Sequence, residues 1–340
     1  MFIVATISIN SYTEDKILEI IQNGADVLRY NFSHGTPQEM SQKISVAKQA
    51  IRKSGKDIKI MADLPGAKIR LGDFDVQRYE VKRGDKILFK SSKTSADPAK
   101  FIPVDYPNIG QVVKSGEVFT LADGEIGFKV DEIVDSLSFV AIALNDWHIP
   151  PMKAINIGHA IETLNHVTSQ TLQHLEHLAD IDPDIVAFSF VNDAEQVKFL
   201  KTKLLKAHPD FKGKILAKIE TERGVRNLAD IISHVDMVMV ARGDLGLSSP
   251  LHKLGVLQKK IIQTCKDSHV PVIVATQILD SALDRFVPSR AEISDLTNLA
   301  LEKVDGVMLA KETGISQTPG ASVRLVRQII NEASTLLTES

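Results

Sequence analysis

The sequence predicts an α/β protein, a (β/α)8 TIM barrel with a small β-barrel-like domain inserted after its third strand. Three observations support this. Eight short apolar runs each end in polar or small residues: 2–7 (FIVATI), 26–33 (DVLRYNFS), 58–64 (IKIMADL), 184–191 (DIVAFSFV), 214–220 (KILAKIE), 235–244 (VDMVMVARGD), 271–277 (PVIVATQ) and 306–312 (GVMLAKE). Helix-length amphipathic segments separate most of them, and such alternation means parallel strands joined by right-handed crossovers. The runs recur about every 30 residues, the length of one βαβ unit, except for a long interval between Asp63 and Ser189.

The first strand opens at Phe2 with no basic stretch before it and turns polar by Ser8, which marks a strand and not a secretory leader. Thr13 is expected to cap the helix that follows, with Glu14 and Asp15 in its first turn and Gly24 past its end. After the second strand, Thr36 and Glu39 read as a capping box and Pro37 takes the first helical position. Met40, Ile44, Ala47 and Ile51 mark the buried stripe, which Gly55 ends. From Gly66 to Lys153 the texture changes to short alternating strands with an Asp123–Gly124 turn. The expected boundaries are therefore 1–65 and 154–340 for the barrel and 66–153 for an inserted β-rich lid domain. The barrel part then approaches the roughly 250 residues usual for this fold. An open doubly wound sheet would need neither eight strands nor the insertion. His174 and His177 stand three apart on a helix expected to face solvent, and no metal role is assigned to them. Ser289 and Glu292 read as a second capping box.

With 44% hydrophobic residues and a formal charge of −3, the chain has material for a large core and no charge excess. Nucleic acid and membrane are therefore not expected as partners. The single cysteine, Cys265, excludes an intrachain disulfide and suits a reducing, cytoplasmic setting.

In this barrel the active site lies at the C-terminal mouth of the strands. Residues at those ends are Arg29, Asn31, Ser33, His34, Asp63, Ser189, Lys218, Glu220, Arg242, Asp244, Thr276, Gln277, Lys311 and Glu312, all expected to face a polar mouth. Glu220 and Asp244 leave adjacent strands, so their carboxylates can converge on one hard divalent cation, Mg2+ or Mn2+. Lys218 lies two residues before Glu220 on the same strand face. An ammonium beside a metal and Arg29 makes a receptor for a phosphorylated acid. Gly243 lets the backbone approach an anion where the next helix starts.

Laid out in this way, the chain resembles pyruvate kinases. Similar motifs are RYNFSHG (29–35), DLPGAKIR (63–70), AKIE (217–220), MVARGDLG (239–246), ATQILDS (275–281), SRAE (289–292) and VMLAKET (307–313). The resemblance implies phosphoryl transfer between phosphoenolpyruvate and a nucleoside diphosphate, with phosphoenolpyruvate/pyruvate and ADP/ATP as partners. It implies that Glu220 and Asp244 ligate the divalent metal, that Lys218 stabilises the moving phosphoryl and the enolate oxygen, and that Arg29 grips the phosphate. Gly243, Asp244 and Thr276 would hold the substrate carboxylate, with Ser189 at the substrate. Asn31, His34, Arg70 and Lys153 would face the nucleotide, and Asp123 would approach as the small domain closes.

Departures from the family pattern shape further expectations. The monovalent-cation site retains Asn31, Ser33 and Asp63, but Leu64 replaces a threonine. Lys68 stands where potassium-dependent members have glutamate, so its ammonium could supply the missing charge and K+ would not be required. Ser8–Asn10 replaces a Gly-Pro, Ala122 an aspartate, Asn192 an arginine, and Ala310–Lys311 a Ser-Gly pair. The chain stops at Ser340, before the family's C-terminal domain, so allostery through that domain is not expected and a homodimer through the barrel stays open. Two alternatives are a metal-dependent lyase or decarboxylase acting on pyruvate or oxaloacetate, and a non-catalytic phosphoenolpyruvate-binding homologue.

Overall fold

A computed structural model describes residues 1–33 and 35–339. Eight parallel strands close into a barrel: β1 (Phe2–Thr6), β2 (Val27–Asn31), β3 (Lys59–Leu64), β4 (Ile185–Phe188), β5 (Lys214–Ile219), β6 (Met237–Ala241), β7 (Val272–Ala275) and β8 (Gly306–Leu309). β8 pairs back with β1, so no edge is left open. The expected eight-stranded α/β barrel is the observed one.

Alternate residues of each strand face opposite sides. One set, including Val27, Met61, Ala187, Leu216, Met239 and Ala275, fills the barrel interior. Their neighbours, including Leu28, Ala62, Val186, Ala217 and Val240, belong to the larger apolar layer shared with the helices.

A repeated device ties the strands at their N-terminal ends. An aspartate directly before each even-numbered strand accepts an N–H from the strand preceding it. Asp26 takes Ile3 N–H at 2.7 Å, and Asp184 takes Ile60 N–H at 2.8 Å. Asp236 takes Ile215 N–H and Asp305 takes Val272 N–H, both at 2.8 Å. Each bond satisfies a donor at the start of a strand, where the ladder offers no partner.

The Thr36–Glu39 capping box forms as expected, and Gly55 closes that helix with φ 65°. Ser289 and Glu292 form the second box. Thr13 occupies its cap position with extended backbone, but its side chain accepts no cap hydrogen bond. His174 is buried and not solvent-facing: its ring meets Phe32 edge-on, and burial lowers its pKa.

Ala67–Asn165 together with Gly246–Leu251 forms a second compact unit. Its six-stranded sheet includes the hairpin Ile126–Asp135/Ser138–Ala143, and the Asp123–Gly124 turn joins Val118–Leu121 to Ile126–Asp135. Phe89, Phe119, Phe128 and Phe139 form its aromatic centre, with ring centroids 5.1 to 5.7 Å apart. Sequence texture places the return to the barrel at Lys153, whereas this unit runs on to Asn165. The reason is packing: Ile155, Ile157 and Ala160 are drawn into its core.

Asp236→Ala would strand the buried Ile215 N–H, at a cost of about 1–3 kcal/mol. The expected result is a lower urea midpoint with an unchanged m-value; an unchanged midpoint would show that the cap contributes nothing.

Candidate active site

At the C-terminal end of the barrel the interior columns change from apolar to charged. Val27 is followed two residues on by Arg29, Met61 by Asp63, Ala187 by Ser189, and Leu216 by Lys218 and then Glu220. Period two delivers these side chains to the same inward face. They meet there. Asp63, 1% exposed, accepts from Arg29 Nε at 2.8 Å and Nη2 at 2.6 Å, and its other oxygen lies 3.2 Å from Lys218 Nζ. Lys218 Nζ also donates to Ser189 Oγ at 2.9 Å and lies 3.2 Å from Glu220 Oε1. Ser189 Oγ–H donates to Leu64 O at 2.6 Å, and Glu220 Oε2 accepts Phe190 N–H at 2.5 Å. Arg29 Nη1 donates to Thr6 Oγ1 at 2.9 Å.

Burial opposes the charge on Asp63, but Lys218 and Arg29 outweigh it and hold the carboxyl below its usual range. Burial likewise opposes the Lys218 charge. Asp63, Glu220 and Asp244 outweigh burial and Arg29, and the ammonium pKa is raised. Lys218 therefore stays cationic across the neutral range. Glu220 lies against this ammonium, and the charge of Asp244 also raises its pKa.

On the other side of the mouth, Gly243 N–H donates to Thr276 Oγ1 at 2.8 Å. That N–H, expected to meet an anion, is already committed; Gly243 offers room, since an added Cβ would lie 3.5 Å from Thr276 Oγ1. Arg242 does not face the mouth as expected. Its guanidinium turns to Thr276 O, Gln277 O and Asp295. Glu312 also turns inward, fully buried, and accepts backbone N–H groups of Ile278 and Leu279. Beside it, burial and the Glu312 charge raise the Asp280 pKa to about 6.

Asn31 lies at the end of β2, its Oδ1 accepting Ser33 N–H at 3.1 Å. Asp63, expected beside them at a monovalent-cation site, has its carboxylate shared between Arg29 and Lys218. His34 lies outside the described residues. Within the second unit, Arg70 bridges to Ala154, and Leu71 N–H donates to Lys153 O at 2.8 Å. Asp123 is exposed in the turn after Leu121, and Lys68 is exposed near the start of that unit.

Oxygen donors from Glu220 and Asp244, without sulfur or imidazole, fit a hard divalent cation such as Mg2+. Among the described residues no three His, Cys, Asp or Glu side chains gather into a cage. A cavity of about 690 Å3 at the opposite end of the barrel, lined by Phe2, Asp26, Asp184 and Lys214, contains none of these residues. Features at that end serve stability in this fold.

Two contributions are missing from the sequence reading. Thr6 ends β1 and was legible as the last inward residue of its column. The tie from Asp63 to both Arg29 and Lys218 joins three strands, and no single motif displays it.

Fold and mouth together define a (β/α)8-barrel protein with a buried cluster of charged side chains at its strand ends. The family model for the pyruvate kinase barrel domain matches residues 1–323. Pyruvate kinase from Thermococcus litoralis is 33% identical over 327 residues, covering 96% of this chain and 68% of that protein. The Geobacillus stearothermophilus enzyme is 34% identical, covering 96% of this chain and 56% of its relative. A crystal structure of a pyruvate kinase from Cryptosporidium parvum superposes with a TM-score of 0.88 at 28% identity, over 98% of this chain and 69% of that one. The chain belongs to the pyruvate kinase family.

The raised Asp280 pKa has a stability consequence with a definite sign. Between its usual value of 3.8 and about 6 the folded state holds a proton that the unfolded chain releases. That contribution is complete below pH 3.8 and is lost as pH rises through 6. Asp280→Asn should therefore raise Tm by about 2–4 °C at pH 8 and by little at pH 4. Calorimetry at the two pH values checks it.

Proposed function

We propose that the chain transfers the phosphoryl group of phosphoenolpyruvate to ADP, or to another nucleoside diphosphate, giving pyruvate. The supporting observation is the network in which Asp63 aims Arg29 and Lys218 beside Glu220, in a chain of this family. Arg29 binds the phosphate and Lys218 lies along the path of the phosphoryl group. The bond between phosphorus and the enol oxygen breaks as a bond to the terminal phosphate oxygen of ADP forms. The ammonium of Lys218 takes up the negative charge that develops on the enol oxygen, and C3 then accepts a proton to give pyruvate. Thr276 Oγ–H, for which no acceptor is found among the described residues, donates to the substrate carboxylate, with Ser189 and Asp244 bordering the same space.

Glu220 and Asp244 would hold Mg2+ or Mn2+, which when bound neutralises charge on substrate oxygens. Arg70 and Lys153 supply cationic charge for the nucleotide phosphates, and Asn31, His34 and Asp123 are assigned to the nucleotide as well. Lys68 takes the place of a glutamate found in potassium-dependent relatives, so turnover proceeds without K+.

Glu220→Gln should reduce Mg2+-dependent pyruvate formation from phosphoenolpyruvate and ADP at least 1000-fold, on the order of the loss expected for a metal-held transition-state charge. Full activity in that variant would end the metal assignment. In a coupled assay, rates with and without added K+ should agree within about twofold, whereas Lys68→Glu should make the rate K+-dependent.

A further inference from the structure

Thr276 and Gln277 both lie in the left-handed backbone region, at φ 71° and 52°. Non-glycine residues avoid that region, and a β-branched threonine avoids it most. Two in succession persist only where their surroundings over-determine them.

Two charged side chains provide that constraint. Arg242, immediately after β6, donates to Thr276 O from Nε at 3.1 Å and Nη2 at 2.7 Å, and to Gln277 O at 3.0 Å. Its remaining nitrogen meets Asp295 at 2.5 Å. Glu312, after β8, accepts Ile278 N–H at 3.1 Å and Leu279 N–H at 3.0 Å on one oxygen. Its other oxygen accepts Ala310 N–H at 2.8 Å, which fixes the carboxylate in turn. Four consecutive residues, 276 to 279, thus have their backbone held by two side chains from the flanking strand ends. The bend leaves Thr276 Oγ1 at 2.8 Å from Gly243 N. Glu312 is fully buried and Arg242 is held by three acceptors, so both act directly on the 276–279 segment.

We propose that Arg242 and Glu312 are positioning residues, a clamp that keeps segment 276–279 in its left-handed bend and thereby sets the Thr276 hydroxyl for the substrate. The proposal rests on the role given to Thr276 above. The clamp acts through one hydroxyl, so its loss should be felt only while that hydroxyl is present.

Glu312→Gln turns an amide NH2 toward backbone donors at nearly constant volume. Arg242→Lys keeps a charge for Asp295 and loses the fork. Each should lower kcat about 10- to 100-fold, the effect of displacing a positioned group by about an ångström, and leave the KM for ADP unchanged. A double-mutant cycle decides how: added to Thr276→Val, Glu312→Gln should cost less than about twofold more in kcat. Full additivity would overturn the clamp. A crystal structure of the Glu312→Gln variant is a second arm that needs no substrate. Return of Thr276 or Gln277 to negative φ supports the clamp, and unchanged angles overturn it. Should the wild-type protein convert no phosphoenolpyruvate, the functional reading fails while the crystallographic arm still decides the clamp.

Discussion

Arg29 and Lys218 come from strands on different sides of the barrel, and both point into a space with little water to screen them. What lets them coexist is the carboxylate of Asp63, 2.6 Å from one and 3.2 Å from the other. Two unit charges about 4 Å apart are worth about 4 kcal/mol at an effective dielectric constant near 20. One anion shared by two cations therefore offsets much of their repulsion and desolvation. Removing it would leave two buried cations with reduced compensation, a loss of about 3–5 kcal/mol for a broken buried pair. Thr6, Ser189 and Glu220 join the network through these two cations.

The charge balance bears on the order in which ligands bind under the proposed function. Asp63, Glu220 and Asp244 act with Arg29 on the charge of Lys218, and these five groups together carry one net negative charge. A divalent cation at Glu220 and Asp244 would reverse that sign, and only then would the mouth attract a phosphate and a carboxylate together. Metal and anion thus reinforce one another through charge alone, without any movement of the barrel. Lys218 takes part in both halves, because Glu220, one of its partners in the free protein, is also a proposed metal ligand.

Much of this was legible in the sequence because the barrel imposes two simple periods. Strand runs spaced by amphipathic helices gave the closed sheet, and alternation along KILAKIE put Lys218 and Glu220 on one face. Arg242 shows where such reasoning stops. Position at a strand end pointed it to the mouth, but the first residue of the following helix turned its fork onto the neighbouring loop, where backbone carbonyls and Asp295 were the better partners. Asp63 shows a different limit: its partners come from β2 and β5, far away in the chain, and pairing across a closed sheet is set by register, which no local window contains. The capping aspartates were visible, as the D opening DVLRYNFS and DIVAFSFV, but their acceptor role depends on the strand beside them.

These capping aspartates connect the two ends of the barrel. A strand slipped by one residue would swap its inward and outward faces, placing Ile219 in the mouth and Lys218 among the helices. Within the strands, apolar residues on both faces resist this only weakly, since Val, Ile, Ala and Met occur inside and outside alike. The four aspartates supply what the apolar pattern lacks. Each accepts one particular N–H on the adjacent strand, so a slip would strand a charged acceptor and a buried donor together. Register set at the stable end is carried along rigid strands to the opposite end. The same column that begins with Leu216 must then finish with the ammonium and carboxylate to which the proposed chemistry is assigned.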